Sequence, residues 1–495
     1  MSHKPVARHL LAGPGGFPAP AGPGAEQPGR VATATRRIAN PQARPILLSL
    51  RKIPRSLFSL EALVLLYMFA PLYKYDPRFA WMPVDATALF FVLSVLVGSF
   101  IIVLNPIPKR GGPIILAMLA FVTWWAVALA WSPSRIYGPE KVLYLATLAF
   151  WGLTVGALIT GPDPERVRRL FTLLLLFATW VGIESLLLYR QDPTLLHLHK
   201  RADEYRAFNN YQEIGRMAGL GALVAFTTWL FGRRTSVANL LFLVLCAMLT
   251  FVLMATGGKG PVLATAACIL LALLVGLHVT RRKIFYQRYQ LSIIWLVIGL
   301  VAGLAIYAAT ADHTPRSLQR LSGMIEGGEF QGTAGTRYKV YQEALGFLPE
   351  APVLGHGAGS WPVIWGGFDQ RNTPHNIVLE ILVETGLIGL VLMMALLVVA
   401  MRPVSIDRLR NDPLALCAFM LFVWLFIKAQ LGPDVADNRV MFMMLGVLTG
   451  LMGRRSAASP ASPAGAALRT APPLVSFNSR RSSIDRGRLG PVRTR

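Results

Sequence analysis

The sequence predicts an all-α protein: a polytopic transmembrane bundle of about 12 spans, with one long extramembrane loop that contains short helices. Three observations predict it. The chain of 495 residues is 54% hydrophobic and only 15% charged, with a mean hydropathy of +0.49, which excludes an ordinary soluble enzyme. Its apolar residues fall in about twelve blocks of roughly 17 to 25 residues, each long enough to cross a ~30 Å hydrocarbon core as a helix. Lys and Arg mark alternate connections between the blocks, as cytoplasmic loops do.

Residues 1–55 hold nine basic residues and one acid, as do residues 453–495, so the two ends carry two thirds of the net charge of +24. Both read as disordered basic cytoplasmic tails held against an anionic leaflet rather than as a nucleic-acid surface. The Gly-, Pro- and Ala-rich start cannot bury enough apolar surface to offset ordering entropy, and it lacks the plan of a signal peptide. Spans 1 to 9 fill residues 57–311, at 57–73, 84–104, 114–131, 142–160, 170–189, 213–231, 237–256, 262–280 and 291–311. Spans 10 to 12 fill residues 376–452, at 376–400, 414–431 and 440–452. The pairs Lys109–Arg110, Arg233–Arg234 and Arg454–Arg455, with Arg166, Arg281 and Arg402, lie on one side, which places both termini there. The other side receives the long loop at 312–375. A loop of that length is well beyond ordinary connections and is expected to carry function. Within it, residues 336–348 read as a short amphipathic helix on the membrane surface, with Tyr338, Tyr341, Leu345 and Leu348 on one stripe. No internal repeat is evident. Cys246, Cys268 and Cys417 all sit in apolar blocks, so neither a disulfide framework nor a zinc site is encoded.

The polar residues gather on the loop side. His375 stands where the loop runs into the tenth span, preceded by Pro374. A helix N-terminus there disfavours imidazolium and suits a neutral base, although the same position suits an interfacial cap. Glu380 and Glu384 share one helical face at a depth where acids need a partner, and Lys428 is the candidate; a structural role for Glu384 near the site is favoured. Glu184 is a lone intramembrane acid. Arg337 and Lys339 begin the loop helix, and Gly355, Gly357 and Gly359 form a turn after it. Cations and backbone donors there can hold an anion, whereas loop glycines are more often turn formers. Lys259 lies between spans in the short GGKG loop. Arg206, Asn209, Asn210 and Arg216 gather at the start of the sixth span as sugar or phosphate contacts or as a polar cap. Asp434 and Asp437 lack further acids nearby and make a poor metal site, so no metal is expected.

The order of Arg337, the turn from Pro352 to Gly359, and then His375, Asn376, Glu384 and Gly386 resembles the O-antigen ligase and polysaccharide polymerase superfamily of bacterial inner-membrane glycosyltransferases. The likeness is strongest over residues 332–392. That resemblance implies transfer of a glycan from an undecaprenyl-pyrophosphate donor to a glycan, lipid or protein acceptor at the periplasmic face, in a ligase or a polymerase, without metal, nucleotide sugar or other cofactor. It implies His375 as base and Arg337 as charge stabiliser. Lys259, Arg216, Asn209, Asn210, Lys339 and Asn376 are then substrate contacts, and Gly355, Gly357 and Glu384 support the site. One departure is Gly258-Lys259-Gly260 where the family usually has Ser-Arg-Gly. Lysine keeps the charge but loses the planar fork that grips phosphate. The rival readings are a polyprenol-linked glycan flippase or secondary transporter, which the buried ions would suit, and a membrane scaffold without chemistry.

Overall fold

The computed structural model describes residues 45–191, 211–231, 237–279, 284–286 and 333–453, apart from positions 75, 80, 107, 109, 110 and 433. The expected ninth span at 291–311, Asn209, Asn210, residues 312–332 of the long loop and most of both basic tails lie outside the described residues. Residues 45–55, expected in the N-terminal tail, are folded: Ile46 is buried, Arg168 Nε donates to the Pro45 carbonyl, and Lys52 pairs with Glu165 at 2.5 Å.

The bundle is built from α1 (Leu60–Met68), α2 (Ala86–Leu104), α3 (Gly111–Val127, running on in a 3-10 turn to Trp131), α4 (Tyr137–Thr160), α5 (Pro164–Gln191), α6 (Tyr211–Phe231), α7 (Val237–Ala255) and α8 (Lys259–Gly276). After a gap come α9 (Thr333–Phe347) and α10 (Trp361–Gly366) of the long loop, then α11 (Ile377–Met401), α12 (Ile406–Asn411), α13 (Pro413–Ala429) and α14 (Arg439–Gly453). Side-chain caps set several starts: Asp85 accepts from Thr87 N and Ala88 N ahead of α2, and Asp412 from Leu414 N ahead of α13. The first expected span is in two pieces, α1 and a short turn at Ala70–Tyr73. Pro71 has no N–H, and its ring opposes the carbonyl one turn back, which breaks the helix at Phe69. The eighth expected span also ends early, at Gly276, and is followed by an antiparallel pair, β1 (Leu277–Val279) and β2 (Ile284–Tyr286), in register Leu277 to Tyr286. β2 is β-branched or aromatic at every position, which favours extended backbone there.

Seven helices among the described residues are long and apolar enough to cross a membrane: α2, α3 with its extension, α4, α5, α6, α7 and α11. α8 and α13 are shorter apolar helices. Helices α5, α6 and α7 pack in sequence, α8 lies on α13, α4 on α14, and α11 on α3. Leu387, Val391, Met394 and Val398 form an exposed stripe on α11, each at least half accessible. Apolar side chains at that spacing on a bundle surface mark a face for hydrocarbon rather than water.

Candidate functional site

Two loop helices and the start of α11 make the site. Val340 and Ala344 of α9 are buried against Trp361 and Val383, with Tyr341, Phe347 and Leu348 beside them. The stripe expected to contact membrane is therefore displaced. Tyr338 and Leu345 are more than half exposed, because α9 spends its apolar face on α10 and α11 instead.

His375 stands one residue outside α11, in left-handed backbone (φ 58), and Asn376 is the cap: its Oδ1 accepts from Val378 N and Leu379 N at 3.0 and 3.1 Å. A non-glycine residue in that region costs of order 1–3 kcal/mol and persists only where its surroundings hold it. They do here. Thr373 Oγ1 accepts from His375 N, Tyr341 OH donates to the carbonyls of both His375 and Gln430, and the imidazole bonds to the backbone of Gly432. One ring nitrogen is thereby fixed and the other is left for chemistry. Burial first, then the charges of Arg337 and Lys428, hold its pKa below the usual histidine range, against the Gly432 bond that raises it. Asn376, read from the sequence as a substrate contact, spends its oxygen on the cap and its amide on Tyr341.

A cavity of about 220 Å³ brings His375 and Arg337 together, with Tyr211, Gln212, Thr336, Val340, Trp361, Trp365, Asn372 and Thr373 completing the wall. Arg337 Nε and Trp361 Nε1 are buried and have no hydrogen-bond partner. Buried donors are nearly always paired, so two orphans on one cavity wall are donors for something that enters it. Trp361 and Trp365 stack at 5.7 Å and 13°, giving that wall an aromatic face of the kind that sugar rings pack on. Lys339 is exposed and does not line the cavity. Arg216 is buried and paired with Glu213 at 3.0 Å. The backbone of Lys259 opens α8, next to Gly260, which packs on Leu431 and the Lys428 stem.

Beneath the cavity, α11 is broken. Gly386 has φ 66 and ψ −165, and the turn 352–359 repairs the ladder. His356 N donates to Val383 O (2.8 Å) and Gly357 N to Glu384 O (2.9 Å), while Leu387 N and Ile388 N donate to the carbonyls of Pro352 and Val353. These glycine N–H groups are engaged within the protein, so the turn is not an anion cradle. Its glycines serve φ and close approach. A Cβ on Gly355 (φ 72) would come within 2.5 Å of backbone atoms of Glu384, Thr385 and Gly386. Gly355→Ala is expected to lower unfolding stability by more than about 2 kcal/mol, read as a lower melting temperature in detergent; an unchanged melt would mean the turn can move aside.

The partner of Glu380 and Glu384 is Lys141 on α4, not Lys428. The Lys141 ammonium lies 2.8 Å from both Glu384 oxygens and also pairs with Glu380, and all three side chains are essentially inaccessible. Gly359 N donates to Glu384 Oε2 (2.6 Å) and Val435 N to Glu380 Oε1 (3.1 Å), and the ammonium sits over the rings of Trp125 and Tyr137. Tyr137 OH donates to Asp434, and Arg371 pairs with Asp434 and Asp437. Asp369 accepts from Ser134 Oγ and from the backbone N–H of Arg135, Ile136 and Tyr137, fixing the start of α4. Burial raises its pKa, but those donors outweigh it and leave the carboxyl below the usual range. Glu184 pairs with Arg78 at 2.8 Å. The sequence reading missed Lys141, Tyr137, Asp369 and the Trp361–Trp365 wall. Only Lys141 left a trace, as a lysine one residue ahead of an apolar block.

Residues 244–394 match a family model described as O-antigen ligase. Over 323 residues the chain is 26% identical to an O-antigen ligase of Pseudomonas aeruginosa, covering 64% of this chain and 72% of that protein. The family match takes in Arg337, the glycine turn and His375. These matches make the chain similar to O-antigen ligases, in a protein that has, among the described residues, seven apolar helices long enough to cross a bilayer.

Proposed function

We propose that this protein is a bacterial inner-membrane glycosyltransferase that moves a glycan from an undecaprenyl-pyrophosphate carrier to an acceptor hydroxyl at the periplasmic face, as a ligase or polymerase. The observation that carries the reading is the cavity shared by His375 and Arg337, with the unpartnered Arg337 Nε and Trp361 Nε1 in its wall. The acceptor oxygen attacks the anomeric carbon, its proton passes to the free nitrogen of His375, and the carbon–oxygen bond to the diphosphate breaks with its electron pair leaving on the carrier. Arg337 stands where that charge develops and takes the place a metal ion would hold in other transferases. An apolar cavity between α6, α7 and α8, lined by residues such as Phe226, Cys246, Leu253 and Ile269, suits part of a polyprenyl tail.

A flippase would draw on the broken helix and the buried ions. Here the break is filled by the 352–359 backbone, and Lys141 is shared between Glu380 and Glu384, each of which also accepts a backbone N–H, so the cluster is tied into the fold. The test is purified protein in lipid with labelled undecaprenyl-pyrophosphate glycan, a chelator, and candidate acceptors. Acceptor-dependent carrier release is expected, lowered roughly 100- to 1000-fold by Arg337→Ala. Label that crosses the bilayer without release would overturn the reading.

A further inference from the structure

We propose that Lys428 is a ligand for the carrier's diphosphate, a buried cation whose counter-charge is the donor itself. This rests on the transferase reading above and adds a residue to its donor site.

Lys428 occupies the last turn of α13 and is 5% exposed. Among the described residues its ammonium has neither a carboxylate within ion-pair distance nor a hydrogen-bond acceptor. A buried, unneutralised ammonium costs several kcal/mol, and chains keep one where a ligand completes it. Its surroundings say which ligand. The stem passes Gly260, beside the GGKG turn, and the nitrogen lies 3.2 Å from where a Cβ on Gly432 would stand. Gly432 is the residue whose backbone holds the His375 imidazole, and Gln430, two residues after Lys428, accepts from Tyr341. The end of α13 is therefore a hub that touches the proposed base, the loop helix and the GGKG turn.

The charges give the class of ligand. Lys428 feels Arg216 and Arg337 as neighbouring cations and Glu213 as the neighbouring acid. Glu213 is already bonded to Arg216. Lys428 and Arg337 are thus in surplus, two positive charges. A diphosphate diester, the form in which a polyprenyl carrier holds a glycan, carries two negative charges at neutral pH and matches that surplus. A phosphate monoester would match it less well in shape, because two separated cations suit two linked phosphates.

The test is Lys428→Met, which keeps the stem and removes the charge, with Lys428→Gln as a second variant should the first not express. Each is placed in nanodiscs and titrated with undecaprenyl diphosphate and with undecaprenyl monophosphate, without acceptor. The wild type is expected to bind the diphosphate more tightly, and Lys428→Met to lose on the order of tenfold or more for the diphosphate and less for the monophosphate. The unliganded variant is expected to melt at a higher temperature than the wild type, because an uncompensated buried charge has gone, and to gain less from added diphosphate. Binding equal to wild type overturns the proposal. So does a variant that melts lower, which would make Lys428 a structural cap of its own helix. If the wild type binds neither lipid, the transferase reading itself fails, and the two failures are told apart.

Discussion

His375→Ala is expected to abolish measurable transfer, a loss of roughly 10²- to 10⁴-fold, while the protein still inserts, folds and binds donor. Truncation removes the imidazole's bond to Gly432, whereas the backbone bonds around it, from Thr373 and Tyr341, involve its N–H and carbonyl and survive. The pH profile adds a sharper check. A base works in its unprotonated form, and the imidazole is held below the ordinary histidine range by burial and by the charges of Arg337 and Lys428. The acid limb of wild-type activity should therefore lie below the ordinary histidine range. Arg337→Gln removes one of the charges that hold the value down, so the acid limb of its residual activity should move to higher pH. An acid limb at or above pH 7 in the wild type, or full activity in His375→Ala, would remove His375 from the role of base.

The second large effect is on stability. Lys141→Met is expected to cost about 3–5 kcal/mol, because it leaves Glu380 and Glu384 buried without their cation and with Asp434 close by. The same substitution combined with Glu380→Gln and Glu384→Gln should recover most of that loss, since the amides need no counter-charge and can still accept from Val435 N and Gly359 N. Chemical unfolding in mild detergent, comparing the single and triple variants, reads both. If the triple variant is as unstable as the single one, the cluster is held by shape rather than charge.

The sequence displayed some of this directly. Helices α2 to α7 and α11 follow from the length and apolarity of their blocks, and His375 stood out as a polar residue where a loop meets a helix. Other features depended on distance in the chain. Lys141 meets Glu384 across 243 residues, and nothing at position 141 points to that encounter, whereas Lys428 was the candidate because it lies inside an apolar block. The α9 stripe was displaced because a periodic pattern shows that a helix has an apolar face but not which neighbour covers it. The glycines at 355 and 357 were read as turn formers or as anion donors, and the choice needed the break at Gly386, which a glycine in an apolar run does not announce. Asn376 is a similar case: an asparagine at a helix start serves as a cap or a ligand with the same sequence signature.

The repair of α11 by the turn 352–359 changes how that stretch can vary over evolutionary time. Surface connections ordinarily gain and lose residues freely, since no ladder depends on their count. Here Pro352, Val353, His356 and Gly357 supply the donors and acceptors that the backbone of α11 lacks around Gly386. A single insertion or deletion among them would shift every one of those pairings out of phase, leaving polar backbone exposed to hydrocarbon. A change of length in what looks like a loop is therefore damage to a span.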